Sequence, residues 1–284
     1  MSQPDRPRGR GRSSSASPVA EAALRDGVPL LRPERVAEPE VVDAVREARA
    51  DLGVVVAFGQ FLPRRVREAP TLGYLINGHA SLLPRLRGAA PIARAILAGE
   101  RVTGVSVMRV EREMDAGAVA LTRRVEIGAD ETAGALSERL AVLTADAIAD
   151  AVDRIAEGRI DWAPQDHAQA TFAPKIERDD SRLDWHDSAN ALARRVRAMA
   201  PAPGAFTTRD DEVLRILAAR EVPGPTDRPP GCVRCAPDAP LHVATGEGWL
   251  FPLRVQRAGG RVLDIEDYLR GRPISDGAQL GDAR

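Results

Sequence analysis

Residues 73–92 read GYLINGHASLLPRLRGAAPI, and the parsing of this stretch decides the fold. An apolar run, Tyr74–Ile76, leads into Asn77 and His79; the segment then breaks at Pro84 and resumes at Gly88 as a short amphipathic piece. Upstream, Val54-Val55-Val56-Ala57-Phe58 lies between Gly53 and Gly59 and reads as a strand covered on both faces. Between the two runs Pro63 opens a short helix. Residues 89–99 read as a helix with Pro91 in its first turn and Gly99 past its end. Residues 103–110 and 118–127 alternate like strands. A long helix follows over 131–157, with Ala133, Leu136, Leu140, Leu143, Ala147, Ala151 and Ile155 at three- and four-residue steps. Asp130 and Glu131 put negative charge at its start, and Gly158 ends it. Strands alternating with helices predict an α/β domain with a mostly parallel sheet.

Outward from this core the pattern weakens. Residues 1–18 are rich in Arg, Pro, Gly and Ser and are expected to be loop or disordered. A helix over 18–27, a short strand at 28–31 and a helix over about 39–50 follow. Past residue 160 the texture changes: 169–187 reads as a linker with short elements, and 187–199 as a helix. Strands near 213–222, 240–245 and 248–256 lie between Pro/Gly-rich turns, which predicts a small β-rich, barrel-like second domain. The expected division is therefore 1–168, a linker at 169–187, and 188–284.

The length of 284 residues suits two domains. Apolar residues at 44% and charged residues at 29% describe a soluble globular chain, and a net charge of −1 gives no global pull toward nucleic acid. No stretch approaches the roughly 20 uncharged apolar residues that span a bilayer. No apolar segment follows the N-terminal arginines, so no secretory signal is read and the cytoplasm is expected. Lys175 is the only lysine; all other basic side chains of the Lys/Arg class are arginines, which can hold phosphate through two parallel hydrogen bonds. Cys232 and Cys235 form a lone CVRC with no second pair. A four-ligand zinc site is thus incomplete even with His242, and two incidental loop cysteines are expected.

In parallel α/β sheets ligands sit beyond the carboxyl ends of the strands, where Asn77 and His79 fall. Alternation turns both the same way, pairing an amide donor with a group that titrates near neutrality, and Gly78 permits close approach. A loop asparagine beside a surface histidine is the plainer reading; the strand-end location sets this pair apart. A working histidine needs a partner for its second nitrogen, and Asp115 in EMDAG, between two predicted strands, is the candidate. An Asp-x-Gly is by itself more often a turn, and spacing alone does not join 79 to 115. Arg194, Arg195 and Arg197 on the 187–199 helix form either a phosphate-facing patch or a solvated face.

NGHASLLPRLRGAAPI resembles the N-x-H-x-S-L-L-P-x-x-R-G-A-A-P-I signature of the methionyl-tRNA formyltransferase family, and EMDAG resembles its acidic loop. QPDRPRGRG at 3–11, TFAPKI at 171–176, RLDW at 182–185 and VRAMAPAPGAF at 196–206 are similar to further motifs of that family, in order along almost the whole chain. The 77–92 block alone marks folate-dependent formyltransferases and hydrolases generally; the others narrow it to the tRNA enzyme. The resemblance implies a doubly wound sheet and a catalytic trio of Asn77, His79 and Asp115. It implies formyl transfer from 10-formyltetrahydrofolate to the amino group of methionine on initiator tRNA, without a metal, in a monomer. Folate is then expected against backbone at Phe58 and Gly59 and at Ser81, Leu82, Leu83 and Pro84. Arg6, Arg8, Arg10 and Arg12 are expected to touch the tRNA acceptor end.

Family members begin with a further strand, turn, helix and strand, whereas this chain opens at the arginine loop. The resemblance therefore predicts a sheet lacking that first portion, from a start placed too late or from true shortening. Each unpaired backbone group buried by such a loss costs roughly 1–3 kcal/mol. Ala118 stands where the family often carries a second acid, and Gly78 and Ala80 where it more often has Val and Gly. Two other readings compete: a folate-dependent formyltransferase acting on a small amine, against which the arginine loop and the β-rich tail argue, and an inactive remnant.

Overall fold

The computed structural model describes residues 1–8, 13–236 and 239–281, and the chain divides into two units that interleave along the sequence. The first gathers Met1–His79, Val105–Arg123 and Thr144–Ala170; the second gathers Ala80–Gly104, Arg124–Leu143 and Thr171–Arg284. The predicted boundary after residue 168 lies beside the last of these exchanges, while the earlier ones have no counterpart in the predicted division.

The elements, in chain order, are β1 (Arg6–Arg8), β2 (Ser13–Ser15), α1 (Pro18–Arg25), α2 (Pro39–Glu47), β3 (Gly53–Val55), α3 (Arg64–Arg67), β4 (Leu75–His79), α4 (Pro91–Ala98), β5 (Val102–Arg109), β6 (Val119–Glu126) and α5 (Ala133–Ala156). They continue as α6 (Ala189–Met199), β7 (Ala205–Arg209), β8 (Glu212–Val222), β9 (Val233–Ala236), β10 (Ala239–Ala244), β11 (Trp249–Arg257), β12 (Val262–Asp264) and α7 (Ile265–Gly271). The punctuation marks act where expected. Pro91 occupies the first turn of α4, and Gly99 closes it at φ 74°. The N-terminal cap of α5 is Thr132, whose hydroxyl accepts from the Ala135 amide at 3.2 Å.

The sheet of the first half runs β3-β4-β5-β6. β3 is parallel to β4, but β5 is antiparallel to β4, so the sheet is mixed where alternation predicted mostly parallel pairing. Antiparallel pairing means that the chain re-enters beside β4 from the end at which it left. β3 ends the strand order, and Val54 and Val56 are 48% and 50% exposed, which corrects the expectation of two covered faces. Val36, Val42, Leu62, Val66 and Leu75 form the buried cluster of the first unit, with Val55, Phe58 and Val110 against it. Burying one such side chain fully stabilises by about 1.5–3 kcal/mol.

Residues 1–18 depart from the expected loop. β1 and β2 pair as a short antiparallel ladder, Ser2 is buried, and its amide donates to the Leu31 carbonyl at 2.9 Å. A backbone ladder needs no large apolar side chain, which is why composition does not reveal it. Residues 28–31 form no strand, and Val28 and Leu31 are exposed.

In the second unit α6 presents Leu192, Val196 and Met199 to a core that also holds Leu214, Ile216, Leu241, Val243, Leu250 and Leu280. Ser188 caps α6 by accepting from the Ala191 amide at 3.2 Å. The sheet follows β7-β8-β11-β10-β9, with β12 on β11, and its pairings are antiparallel. Among the described residues no pairing joins β9 to β7, so the strand path is open. Pro252 cannot donate to the ladder, and the β11–β8 register shifts just beyond it. Cys232 is buried and Cys235 lies on β9, so the pair belongs to the sheet and not to a loop. Among the described residues no helix is long and apolar enough to cross a membrane.

The TFAPKI segment is fastened by an arginine fork. Arg94 of α4 meets Asp180 through two hydrogen bonds of 2.8 and 2.7 Å and also donates to the carbonyls of Pro174 and Lys175. Asp180 also accepts from the Glu177 amide at 2.8 Å. The Arg94 guanidinium holds the Asp180 carboxyl below its ordinary range. A depressed carboxyl stabilises the fold above its unfolded value, about 3.9, and loses that contribution as pH falls through the lower folded value. We expect Asp180→Asn to lower the urea midpoint at pH 7 and to match wild type near pH 2. An equal deficit at both pH values would contradict the ionic origin.

Candidate active site

Backbone pairing sets the position of Asn77 and His79. They are the third and fifth residues of β4, inside the strand and not beyond it as the apolar run suggested. Asn77 stands opposite Met108 of β5 and beside Val55 of β3, and His79 opposite Ser106. Two residues apart on a strand, they share a face. Gly78 faces the other way, where a Cβ would lie 2.5 Å from Thr144 Cγ2 and 2.9 Å from Ile148 Cδ1 of α5. The close approach inferred from the glycine is therefore made by a helix.

Asp115 enters from the loop between β5 and β6. Its backbone is left-handed, at φ 53°, a conformation that aspartate tolerates better than most residues. The carboxylate Oδ2 lies 3.5 Å from His79 Nδ1, and the two side chains are 13% and 7% exposed. At this distance the pair is chiefly electrostatic. The contact fixes which ring nitrogen faces the carboxylate. The distance joins two residues that spacing could not connect.

The glycine of EMDAG has a steric reason. A Cβ on Gly117 would sit 2.0 Å from the Arg109 carbonyl oxygen, which is backbone and cannot swing aside. Around this loop lie groups that the sequence did not suggest. The Arg109 guanidinium lies 4.3 Å from the Tyr74 ring centre and 4.7 Å from that of Trp162, and the two rings meet edge to face. The side-chain amide of Gln165 donates to the carbonyls of Asp115 and Gly117 at 2.8 and 2.7 Å. No motif or period flags Gln165.

The other predicted site residues have mixed settings. The Phe58 carbonyl accepts from the Gln3 side-chain amide, and Gly59 has φ 78°. In the second unit the Ser81 hydroxyl is buried and donates to the Arg85 carbonyl at 2.6 Å, and Leu83–Pro84 is a cis bond. What Ser81, Leu82, Leu83 and Pro84 can offer a ligand is therefore largely backbone. Arg6 is exposed on β1, Arg8 shares that strand, and Arg10 and Arg12 lie outside the described residues. Arg194, Arg195 and Arg197 lie part-exposed on α6, and two of them have partners in their own chain. Arg195 pairs with Asp187 at 3.0 Å, Arg197 donates to the Glu131 carbonyl at 3.2 Å, and Arg194 lies where a side chain on Gly99 would collide with it. Burial pushes the Arg197 guanidinium below its usual range. Arg195 and Arg197 thus have partners within the chain, and all three remain part-exposed.

This strand end with its acidic loop and the β-rich region define the class. A model of the formyl transferase family matches residues 1–152, and one of the formyl transferase C-terminal domain matches residues 175–273. A protein of Roseiflexus sp. named methionyl-tRNA formyltransferase is 44% identical over the whole chain and 87% of its own length. A namesake from Methylococcus capsulatus is 44% identical over 98% of the chain and 90% of its own length. The chain belongs to the methionyl-tRNA formyltransferase family. In fold it resembles HypX from Aquifex aeolicus (TM-score 0.64, 19% identity, 88% of this chain and 44% of that one). It also resembles an N-formyltransferase from Helicobacter canadensis (TM-score 0.63, 13% identity, 90% and 87%).

Gly117→Ala tests the geometry of the loop. Overpacking against a carbonyl should cost about 1–3 kcal/mol and displace Asp115. The expected result is a lower thermal midpoint together with a fall in kcat; an unchanged midpoint would show that the loop does not need this contact.

Proposed function

We propose that the chain transfers a formyl group from 10-formyltetrahydrofolate to the amino group of methionine carried by initiator tRNA, for translation initiation, with Asn77, His79 and Asp115 as its chemical centre. The observation that carries the site assignment is the closeness of His79 Nδ1 to Asp115 Oδ2, on the strand that also presents Asn77.

The reaction joins the amine nitrogen to the formyl carbon while the bond from that carbon to the donor nitrogen breaks. The amine attacks in its neutral form. The formyl oxygen gains negative charge, which the N–H of Asn77 can stabilise by hydrogen bonding, joined by His79 once its ring carries the transferred proton. The attacking nitrogen carries a surplus proton, which His79 takes and passes to the departing nitrogen. Asp115 orients the imidazole and supports its charge while the proton resides there.

Phe58 and Gly59, and separately Ser81, Leu82, Leu83 and Pro84, are assigned to the donor by resemblance. The internal hydrogen bond of Ser81 favours backbone recognition there. Arg6, Arg8, Arg10 and Arg12 are assigned to the tRNA acceptor end, where guanidinium groups meet phosphates. A cytoplasmic monomer is part of the proposal.

His79→Ala and Asp115→Ala should each lower kcat by roughly 10²–10⁴-fold in a formylation assay with charged initiator tRNA and 10-formyltetrahydrofolate. Retention of the tRNA on filters should stay within about 2-fold of wild type, since neither side chain is a phosphate ligand. Wild-type turnover in the Asp115 variant would sink the assigned roles.

A further inference from the structure

We propose that Gln165 is the positioning residue for Asp115: its carboxamide holds the loop that carries the carboxylate at the distance from His79 that turnover requires. This rests on the role given to Asp115 above.

The carboxylate stands on a loop in a left-handed backbone conformation, and something must hold it there. Gln165 is 8% exposed and donates to the carbonyls of Asp115 and Gly117, the residue itself and the one two further on. A primary amide is suited to this task, because its two N–H groups diverge in one plane toward two acceptors. Glutamate would set oxygens against the carbonyls, and methionine would reach as far without donors.

Residues 162–165 also grip both ends of the loop. Ala163 exchanges two hydrogen bonds of 2.9 Å with Val119, where β6 begins. The Trp162 ring lies 4.7 Å from the guanidinium of Arg109, where β5 ends. Gln165 takes the middle. All of these residues belong to the first unit. A displacement of about 1 Å of a catalytic group costs on the order of 10²-fold in rate, so a brace acting on backbone carbonyls is enough to control turnover.

The test is a double-mutant cycle of wild type, Asp115→Ala, Gln165→Met and the double variant, with kcat, both KM values and the thermal midpoint measured for each. Gln165→Met should lower kcat by about 10–100-fold while both KM values stay within about 3-fold. In the Asp115→Ala background the same change should lower kcat by no more than about 2-fold, because the group it positions is gone. Losses that multiply, or wild-type kcat in folded Gln165→Met, would overturn the inference. Should Gln165→Met lack a cooperative unfolding transition, Gln165→Asn, which keeps the amide one methylene short, decides the cycle by the same criterion. Impaired Asp115→Ala beside fully active Gln165→Met would remove the brace alone. An unimpaired Asp115→Ala would remove the reading of the site and the brace with it.

Discussion

A carboxylate 3.5 Å from an imidazole, both largely withdrawn from water, is the constraint around which the first unit is arranged. Neither partner is held by its own rotamer alone. His79 is fixed because β4 lies between β3 and β5, with backbone pairing on both sides. Asp115 is fixed because its loop runs so close to the Arg109 carbonyl that only glycine fits at 117, and because Gln165 ties it back. The strand supplies rigidity and the loop supplies reach, and the chemistry needs both. Low exposure strengthens the electrostatic coupling, since less solvent screens the pair.

The second unit uses arginine differently. A chain with a single lysine makes most of its cationic contacts through planar forks, and several of these forks face inward. Arg94 ties α4 to the segment after residue 173, Arg195 ties α6 to the turn before it, and Arg197 reaches the backbone that precedes α5.

The sequence was most legible where steric and capping rules act locally. Pro91 and Gly99 bounded α4, the three- and four-residue period located α5, and the apolar run pointed to the strand of Asn77 and His79. Its place in the loop between two strands nominated Asp115, and resemblance added its pairing with His79 over 36 residues, which spacing leaves open. Features that depend on partners far along the chain were illegible. Gln165 acts through carbonyls 50 and 48 residues away. Arg109 is held by rings on either side of it in sequence, and β5 enters antiparallel to β4. The exposure of Val54 and Val56 shows the same limit, since an apolar run reports propensity and not the cover it receives.

The two units exchange the backbone after residues 79, 104, 123, 143 and 170. Neither can be excised as one uninterrupted fragment. During synthesis the ribosome must extrude residue 170 before the first unit has all its parts, and by then three stretches of its neighbour's chain are also outside or close behind. The first unit therefore has all its parts before the last and longest stretch of the second, residues 171–284, has been made. Genetic recombination at a single crossover would likewise split at least one of the units, wherever it fell.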